Sequence, residues 1–147
     1  MTGKAAVLTG RDRKLLHAAE RGVLATVTPV SRPHVVPVVF TLVEDAIWMP
    51  VDGKPKDHTK RIARLRNIDA NPMVTFLIDR YSSDWECLWW LRIDATAEIF
   101  ADDLNSLRHV TDALIQRYPQ YRDATRRRFT HLVKLAPTRS LYWSSGV

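Results

Sequence analysis

The sequence predicts a small, mainly β protein, an antiparallel barrel of six or seven strands with a few flanking helices. Short apolar or alternating segments recur along the 147 residues, and turn sequences such as PVSRP at 29–33 separate them. Residues 87–100 alternate so regularly that their odd positions form one apolar face, which we expect to face the core. A chain of this length buries a core without covalent support, so we expect one domain over residues 1–147.

Seven segments carry the strand pattern. They are residues 23–28, 34–43, 46–51, 73–79, 87–100, 131–136 and 140–144. The first three are predicted to form an antiparallel meander, and Pro37 indicates that the second lies at a sheet edge or contains a bulge. Helices are predicted at 12–20, at 59–68, and from a cap at Asp102 or Asp103 to Tyr118. The basic segment 122–128 is also predicted to be helical.

The composition excludes several classes of protein. The single cysteine, Cys87, allows neither an intrachain disulfide nor a cysteine-rich zinc site, and the strand alternation predicts that it is buried and inert. The five histidines lack metal-type spacing and are expected in surface or capping roles. Glycine is too scarce for a Walker loop or a dinucleotide fingerprint. With no signal-like N-terminus and no apolar span, we expect a cytoplasmic protein.

The net charge is +6, and the most informative basic segment is VDGKPKDHTKRIARLRN at 51–67, which contains six lysine and arginine residues. Lys60 and Arg61 fall in the first turn of the predicted helix, where cations oppose the helix dipole. An anion bound at the helix N-terminus would relieve that mismatch. A solvated basic face explains the same pattern, and both interpretations stay open at this point.

Trp90 is the second informative residue. It shares the even, polar face of the 87–100 strand with Arg92, Asp94 and Thr96. A large aromatic side chain on a polar face calls for a cover, which is either a partner subunit or a flat ligand.

The order and spacing of six motifs resemble one known family. The motifs are GVLATV at 22–27, RPHVVPVVF at 32–40, AIWMPVDGKPK at 46–56, TKRIARLRNIDANPMVTFLID at 59–79, DWECLWWLRIDATAEI at 84–99 and LYWSSG at 141–146. Together they resemble the pyridoxamine 5′-phosphate oxidase-like split β-barrel proteins. Within these, the chain is similar to the actinobacterial-type branch that uses the deazaflavin coenzyme F420.

The resemblance implies an FMN-binding split-barrel fold in a homodimer, with two cofactor sites at the subunit seam. It implies that Lys60, Arg61 and Arg64 meet the cofactor phosphate. It implies that the backbone around Val36 to Val38 and at Pro50 and Val51 borders the ring system. Trp90 corresponds to a position beside the cofactor where the oxidases usually carry glutamine. The candidate cofactor-binding residues are therefore Val36, Val38, Pro50, Val51, Lys54, Lys56, Thr59, Lys60, Arg61, Arg64 and Trp90.

The resemblance implies an F420-dependent oxidoreductase that transfers hydride to or from a small conjugated or unsaturated molecule. The basic loop at 52–58 is longer than in the oxidases and suits the negatively charged oligoglutamate tail of F420. Alternatives are an FMN-dependent oxidoreductase, a non-catalytic cofactor-binding protein, and a haem-binding relative. A nucleic-acid-binding domain would use the basic segments 54–66 and 122–128, which lack interleaved aromatics. We expect self-association and a small-molecule substrate, without nucleic-acid or membrane partners.

Overall fold

The computed structural model describes residues 6–52 and 62–146. Seven strands form one antiparallel sheet in the order β2-β1-β5-β6-β7-β4-β3. The strands are β1 (Gly22–Val27), β2 (Pro33–Val38), β3 (Thr41–Val43), β4 (Ala46–Asp52), β5 (Met73–Arg80), β6 (Trp89–Phe100) and β7 (Phe129–Ser144). The helices are α1 (Gly10–Ala18), α2 (Ala63–Ala70) and α3 (Arg108–Arg117). Among the described residues, no helix is long and apolar enough to cross a membrane.

The sheet curls into a barrel because its two edge strands are neighbours in sequence. Only residues 39 and 40 separate the end of β2 from the start of β3. A linker of this length spans at most about 11 Å, so the two edges must lie close together. The inner faces of all seven strands then meet in one apolar cluster, whose members include Leu24, Phe76, Leu91 and Leu135. The predicted barrel of six or seven antiparallel strands is thus confirmed.

The linker explains why the predicted strand 34–43 and the predicted meander are wrong. β2 pairs with β1, whereas β3 pairs with β4, and the chain crosses between them at Phe40. The Tyr118 hydroxyl accepts a hydrogen bond from Phe40 N at 3.1 Å and donates one to Phe40 O at 2.9 Å. A side chain thereby satisfies the backbone groups that a continuous strand would have paired. Pro37 does lie on an edge strand, as the sequence indicates.

The long strands show two further differences. β6 buries Leu91, Ile93, Ala95 and Ala97, which confirms that its odd positions face the core. The strand begins at Trp89 rather than at Cys87, because the Asp84 side chain caps a short 3-10 turn over Trp85–Cys87. Cys87 is therefore exposed, and the prediction that it is buried is wrong. The two predicted C-terminal strands are a single strand, β7, whose pairing with β6 shifts register between Asp94 and Ala95.

The helix ends also differ from prediction. α1 begins at Gly10 because Thr9 and Asp12 form a reciprocal capping box. The predicted helix after Asp102 starts as a 3-10 turn at Leu104–Leu107, and α3 proper begins at Arg108. Asp103 has a left-handed backbone and makes no side-chain capping bond. The segment 122–128 is not helical: after a 3-10 turn ending at Arg122 it forms turns stabilised by bonds to Asp123.

Helices cover the sheet on different sides. Val110 and Leu114 of α3 pack on the outside of the barrel against Trp48 and Leu132 of strands β4 and β7. α1 inserts Leu16 into the interior cluster instead. It is attached by its fully buried carboxylate Asp12, whose Oδ2 accepts hydrogen bonds from Ser140 Oγ at 2.6 Å and from Thr9 N at 3.1 Å. Asp12 therefore connects the first helix to the last strand.

Asp12 gives a prediction about stability. Burial by itself raises the pKa of Asp12, but the hydrogen bonds from Ser140 and Thr9 and the charge of Arg11 outweigh it and lower that pKa. Hydrogen bonds to a charged group contribute about 1.5–3 kcal/mol. We therefore expect Asp12→Asn to lower the free energy of unfolding at neutral pH by about 2 kcal/mol, measured by urea denaturation.

The pH dependence follows from the direction of the shift. A lowered pKa in the folded state stabilises the protein above the ordinary aspartate pKa, and this contribution is lost as the pH falls through the lowered value. The difference in free energy of unfolding between wild type and Asp12→Asn should therefore become smaller as the pH falls. Asp112→Asn, on the exposed side of α3, is the matched control and should change little. An equal loss in both variants, or a gap that is independent of pH, would contradict this role of Asp12.

Candidate functional site

Helix α2 lies at one end of the barrel, held by its own side chains. Leu65 and Ile68 are buried in the interior cluster. Asn67 is buried too, and its Nδ2 donates a 2.9 Å hydrogen bond to Thr26 Oγ1 on β1. Helical spacing puts Asn67 on one face with Lys60, Ala63 and Arg64, opposite Ile62 and Leu65, and predicts that this face is exposed; for Asn67 that prediction is wrong. The amide instead fixes the helix against the strand.

The first turn of α2 carries positive charge. The described helix begins at Ala63 rather than at Thr59, so Arg64 and Arg66 occupy its first turn, which contains no acidic residue. Ile62 at the N-cap position provides no side-chain capping bond. Arg66 is exposed, while Arg64 is half-buried. Arg64 is thus a cation at a helix N-terminus, a position that favours a bound anion. The predicted contacts Lys54, Lys56, Thr59, Lys60 and Arg61 lie outside the described residues.

His34 is a residue at this end of the barrel that the sequence analysis did not single out. It is the register partner of Thr26, and paired residues of antiparallel strands point to the same side of the sheet. Asn67 contacts Thr26, and Arg64 precedes Asn67 by one helical turn, so α2 and His34 adjoin the same part of the interior. The ring nitrogen Nδ1 of His34 is buried and has no hydrogen-bond partner among the described residues. Only burial in the structure identifies it, because its spacing in the sequence is unremarkable.

These features fit a polar, anionic ligand. A buried polar atom without a partner costs about 1–3 kcal/mol. Such an atom commonly marks a place where a bound group completes the hydrogen bond. The cation Arg64 stands at the same end of an otherwise apolar barrel. The residues present therefore suit a group with a phosphate and a polar-edged ring.

The strand residues predicted to border the ring system divide into two groups. Val36, Val38 and Val51 all belong to the interior cluster or pack against it, so the fold brings them together. Pro50 is buried but alternates to the other side of β4, the side on which Trp48 packs against α3. Its contribution to an interior site is limited to its backbone.

Trp90 lies elsewhere, on the outer side of the sheet. It pairs with Asp79 of β5 and with Trp143 of β7. The indole rings of Trp90 and Trp143 are nearly parallel, at 18°, with centroids 6.3 Å apart. They border a groove of about 390 Å³, whose other lining residues include Leu77, Asp79, Arg80, Tyr81 and Arg92. We call this cavity the Trp90–Trp143 groove.

One chain does not bring the two regions together. His34 and Thr26 face the interior, whereas Trp90 faces outward through the same sheet. Next to Thr26 on β1, Ala25 pairs with Thr75 of β5, and Thr75 pairs in turn with Asp94 of β6. Trp90 lies four residues from Asp94, which is about 13 Å along the strand. The sheet and this offset therefore separate Trp90 from the α2 end of the same barrel.

The described residues contain no group of three or more histidine, cysteine or acidic side chains placed to hold a metal ion. The thiol of Cys87 donates a weak hydrogen bond to Asp84 Oδ2 at 3.5 Å. Every residue of the arginine-rich segment 122–128 is exposed. None of these groups adds a second candidate centre in the part of the chain that is described.

Comparison with solved structures gives close fold matches. A conserved hypothetical protein from Mycobacterium tuberculosis superposes with a TM-score of 0.72 at 18% identity, over 99% of this chain and 91% of that one. The heme storage protein HutZ from Vibrio cholerae gives 0.69 at 19% identity, over 91% and 92%. An F420 reductase gives 0.63 at 23% identity, over 88% and 94%. At these identities the matches show a shared fold.

Sequence comparison assigns the family. No curated protein matches the chain. The family model described as pyridoxamine 5′-phosphate oxidase matches residues 8–144, which includes all seven strands and the three helices. The chain therefore belongs to the pyridoxamine 5′-phosphate oxidase family.

Proposed function

We propose that the protein is a deazaflavin-dependent oxidoreductase, which uses coenzyme F420 to transfer hydride to a small conjugated or unsaturated molecule. The observation that carries the proposal is that Arg64 and the buried, unpartnered Nδ1 of His34 lie at the same end of an apolar barrel. Family membership and the fold shared with an F420 reductase support it. FMN is the alternative cofactor, and a binding protein without turnover is the alternative role.

The protein's own contribution is binding and orientation. A bound deazaflavin supplies the hydride chemistry, and its carbon in place of flavin N5 favours two-electron transfer. Arg64 would hold the phosphate, and His34 would hydrogen-bond a polar edge of the ring. Val36 and Val38 line an apolar interior that excludes water from the bound ring. The basic residues Lys54, Lys56, Lys60 and Arg61 would add positive charge for an anionic tail.

We also propose that the site is completed by a second copy of the chain. The outer face of the sheet exposes apolar side chains on three strands: Val35 is 60% exposed, Met73 71% and Trp143 43%. An apolar patch of this kind commonly marks an interface. A homodimer that covers it would bring the outward-facing Trp90 of one subunit toward the α2 end of the other. Trp90 then contacts the cofactor that the other subunit's Arg64 holds.

A haem-binding role is a second candidate. The fold likeness to a heme storage protein favours it, and His34 offers an imidazole nitrogen at the barrel end. The absorbance of apo-protein titrated with hemin distinguishes this role from deazaflavin binding. A Soret shift that His34→Leu abolishes would favour haem, and its absence alongside F420 binding would favour the oxidoreductase.

The first prediction from the proposed function concerns Arg64. Charge-assisted contacts to a phosphate are worth about 1.5–3 kcal/mol, so Arg64→Ala should weaken F420 binding about tenfold or more. Wild-type protein should bind F420 more tightly than FMN, and rising salt should weaken that binding because exposed charges are screened. Fluorescence titration of apo-protein with each cofactor measures both effects.

Arg127→Ala is the matched control, since Arg127 is fully exposed in the 122–128 segment. It should leave cofactor affinity unchanged. Thermal unfolding of both variants shows whether the loss of the half-buried Arg64 side chain disturbs the fold. Equal affinity for F420 and FMN would contradict the deazaflavin assignment. A loss in Arg127→Ala but not in Arg64→Ala would place the anion site elsewhere.

The second prediction separates a ligand-binding role for His34 from a structural one. Replacing a buried polar atom that has no partner by an apolar group is close to neutral or stabilising. We therefore expect His34→Leu to leave the apo-protein's free energy of unfolding unchanged or slightly raised, while cofactor binding weakens about fivefold to tenfold. Denaturation and titration of the same preparation measure the two quantities. A large loss of apo stability would indicate a structural histidine instead.

The third prediction tests the composite site. Arg64→Ala and Trp90→Leu should each weaken cofactor binding in a homodimer. After subunit exchange, each mixed dimer should contain one site with an intact Arg64 and an intact Trp90, so about a quarter of all sites should regain wild-type affinity. Titration before and after unfolding and refolding of the mixture measures the gain. Sedimentation showing a monomer at micromolar concentration, or a mixture that gains nothing, would refute the shared site.

A further inference from the structure

The buried hydrogen bond between Asn67 and Thr26 joins the two ends of the proposed cofactor site. We propose that this pair positions the site: it fixes the setting of α2 on the barrel and thereby holds Arg64 at a defined separation from His34. A ligand is then selected by the distance between its phosphate and the polar edge of its ring. The identity of that ligand rests on the proposed function, whereas the hydrogen bond belongs to the chain itself.

Asn67 and Thr26 are polar residues at positions where the core pattern calls for apolar ones. Thr26 follows Leu24 on the inward-facing side of β1, and only 3% of its surface is exposed. Asn67 lies between Leu65 and Ile68 of α2 and is likewise 3% exposed. Replacing both partners of a buried hydrogen bond by apolar groups of the same shape is close to neutral or stabilising. Core stability alone therefore does not explain the pair.

The hydrogen bond supplies a direction that apolar packing lacks. Leu65 and Ile68 hold α2 against the interior cluster, but hydrophobic contact is non-directional, so it constrains the rotation of a helix less than a hydrogen bond does. The 2.9 Å bond from Asn67 Nδ2 to Thr26 Oγ1 depends on the angle between donor and acceptor. Ile62 at the N-cap position adds no side-chain capping bond. The Asn67–Thr26 bond therefore favours one rotation of the helix against β1.

Each end of the bond adjoins a residue assigned to the cofactor. Arg64 precedes Asn67 by three residues, so the two are neighbours on the helix surface, and a rotation that moves one moves the other. Thr26 is the register partner of His34, whose buried Nδ1 has no hydrogen-bond partner among the described residues. One hydrogen bond thus couples the position of the cation to that of the imidazole. A ligand with a phosphate and a polar-edged ring then meets two contacts that are already ordered, which strengthens its binding.

The test compares each cofactor with the same ring lacking the phosphate. The ligand pairs are F420 with its phosphate-free deazaflavin riboside, and FMN with riboflavin, each titrated into apo-protein and followed by fluorescence. The double variant Thr26→Val/Asn67→Leu should weaken binding of the phosphate-bearing cofactor about threefold to tenfold, and leave binding of the phosphate-free ring unchanged. Its free energy of unfolding should stay close to that of wild type, because both partners become apolar. An unchanged ratio of the two affinities would overturn the proposal.

Two further variants separate positioning from a general loss of structure. Thr26→Ser keeps the acceptor hydroxyl, so it should bind both ligands of a pair as wild type does. Asp12→Asn is the matched control, since it weakens another buried polar contact, one that joins α1 to β7 rather than α2 to β1. It should lower the free energy of unfolding and leave the ratio of the two affinities unchanged. A fall in that ratio equal to the fall in the double variant would show that the ratio follows stability, and would overturn the positioning role.

A mutant cycle with Arg64→Ala shows whether the pair acts through that residue. In an Arg64→Ala background, Thr26→Val/Asn67→Leu should weaken binding no further, so the two losses are not additive. Additive losses would overturn the positioning role and leave Arg64 as a phosphate contact. If neither cofactor binds, or if Arg64→Ala leaves the ratio of affinities unchanged, the proposed cofactor site fails and the positioning role fails with it. The two failures therefore give different results.

Discussion

Two residues, Val39 and Phe40, join the two edges of the sheet, and the rest of the architecture depends on this short linker. Its backbone is satisfied by the Tyr118 hydroxyl, and the Phe40 ring packs edge-on against Phe76 at 4.9 Å. The Arg117 guanidinium covers the other part of that ring at 4.6 Å. Gly22 lies beside the same aromatic pair, and an added Cβ would lie 2.1 Å from Phe76 Cζ, so only glycine fits there. Aromatic packing thus closes the barrel where its two edge strands meet.

Closure divides the molecule into an inside and an outside with different chemistry. Inside, the polar groups are few, and those near α2 are Thr26, Asn67 and His34. Outside, β5, β6 and β7 carry tryptophans, arginines and exposed aliphatic side chains. A flat ligand with a phosphate would use features from both sides, and within one barrel the sheet lies between them. The separation of the two surfaces is the physical reason for expecting a site shared between subunits.

The sequence predicted the class of fold because strand alternation depends on local pattern. The burial of odd positions in β6 follows directly from the period of two, and the edge position of β2 follows from Pro37. The break between β2 and β3 could not be predicted, since it depends on Tyr118, which is 78 residues away from Phe40. Strand alternation could not predict the exposure of Cys87. The Asp84 side chain accepts a hydrogen bond from Glu86 N and caps a 3-10 turn over Trp85–Cys87, so these residues leave the strand.

For the candidate site, the charge pattern predicted an anion at the start of one helix, and the family resemblance supplied the residues. The first-turn argument pointed to Lys60 and Arg61, and Arg64 was named through the family resemblance; because the described helix starts later than predicted, Arg64 is the residue that lies in its first turn. His34 was missed because a single histidine on a strand has no distinguishing pattern. Its significance comes from a buried ring nitrogen whose environment offers no partner among the described residues. The pairing of Trp90 with Trp143 was likewise hidden, because it depends on the register between β6 and β7.

The identity of residue 90 bears on which chemistry the family fold supports here. The resemblance places glutamine at this position in the oxidases, where an amide provides hydrogen bonds to a neighbouring group. Tryptophan removes most of that capacity and replaces it with a large aromatic ring, which stacks with Trp143 and lies beside the charge of Arg92. On the outer face of a sheet such a surface loses contact with water only when something flat or apolar covers it. The exchange of an amide for an indole therefore favours stacking over directed hydrogen bonds at residue 90. That preference suits a planar, conjugated partner.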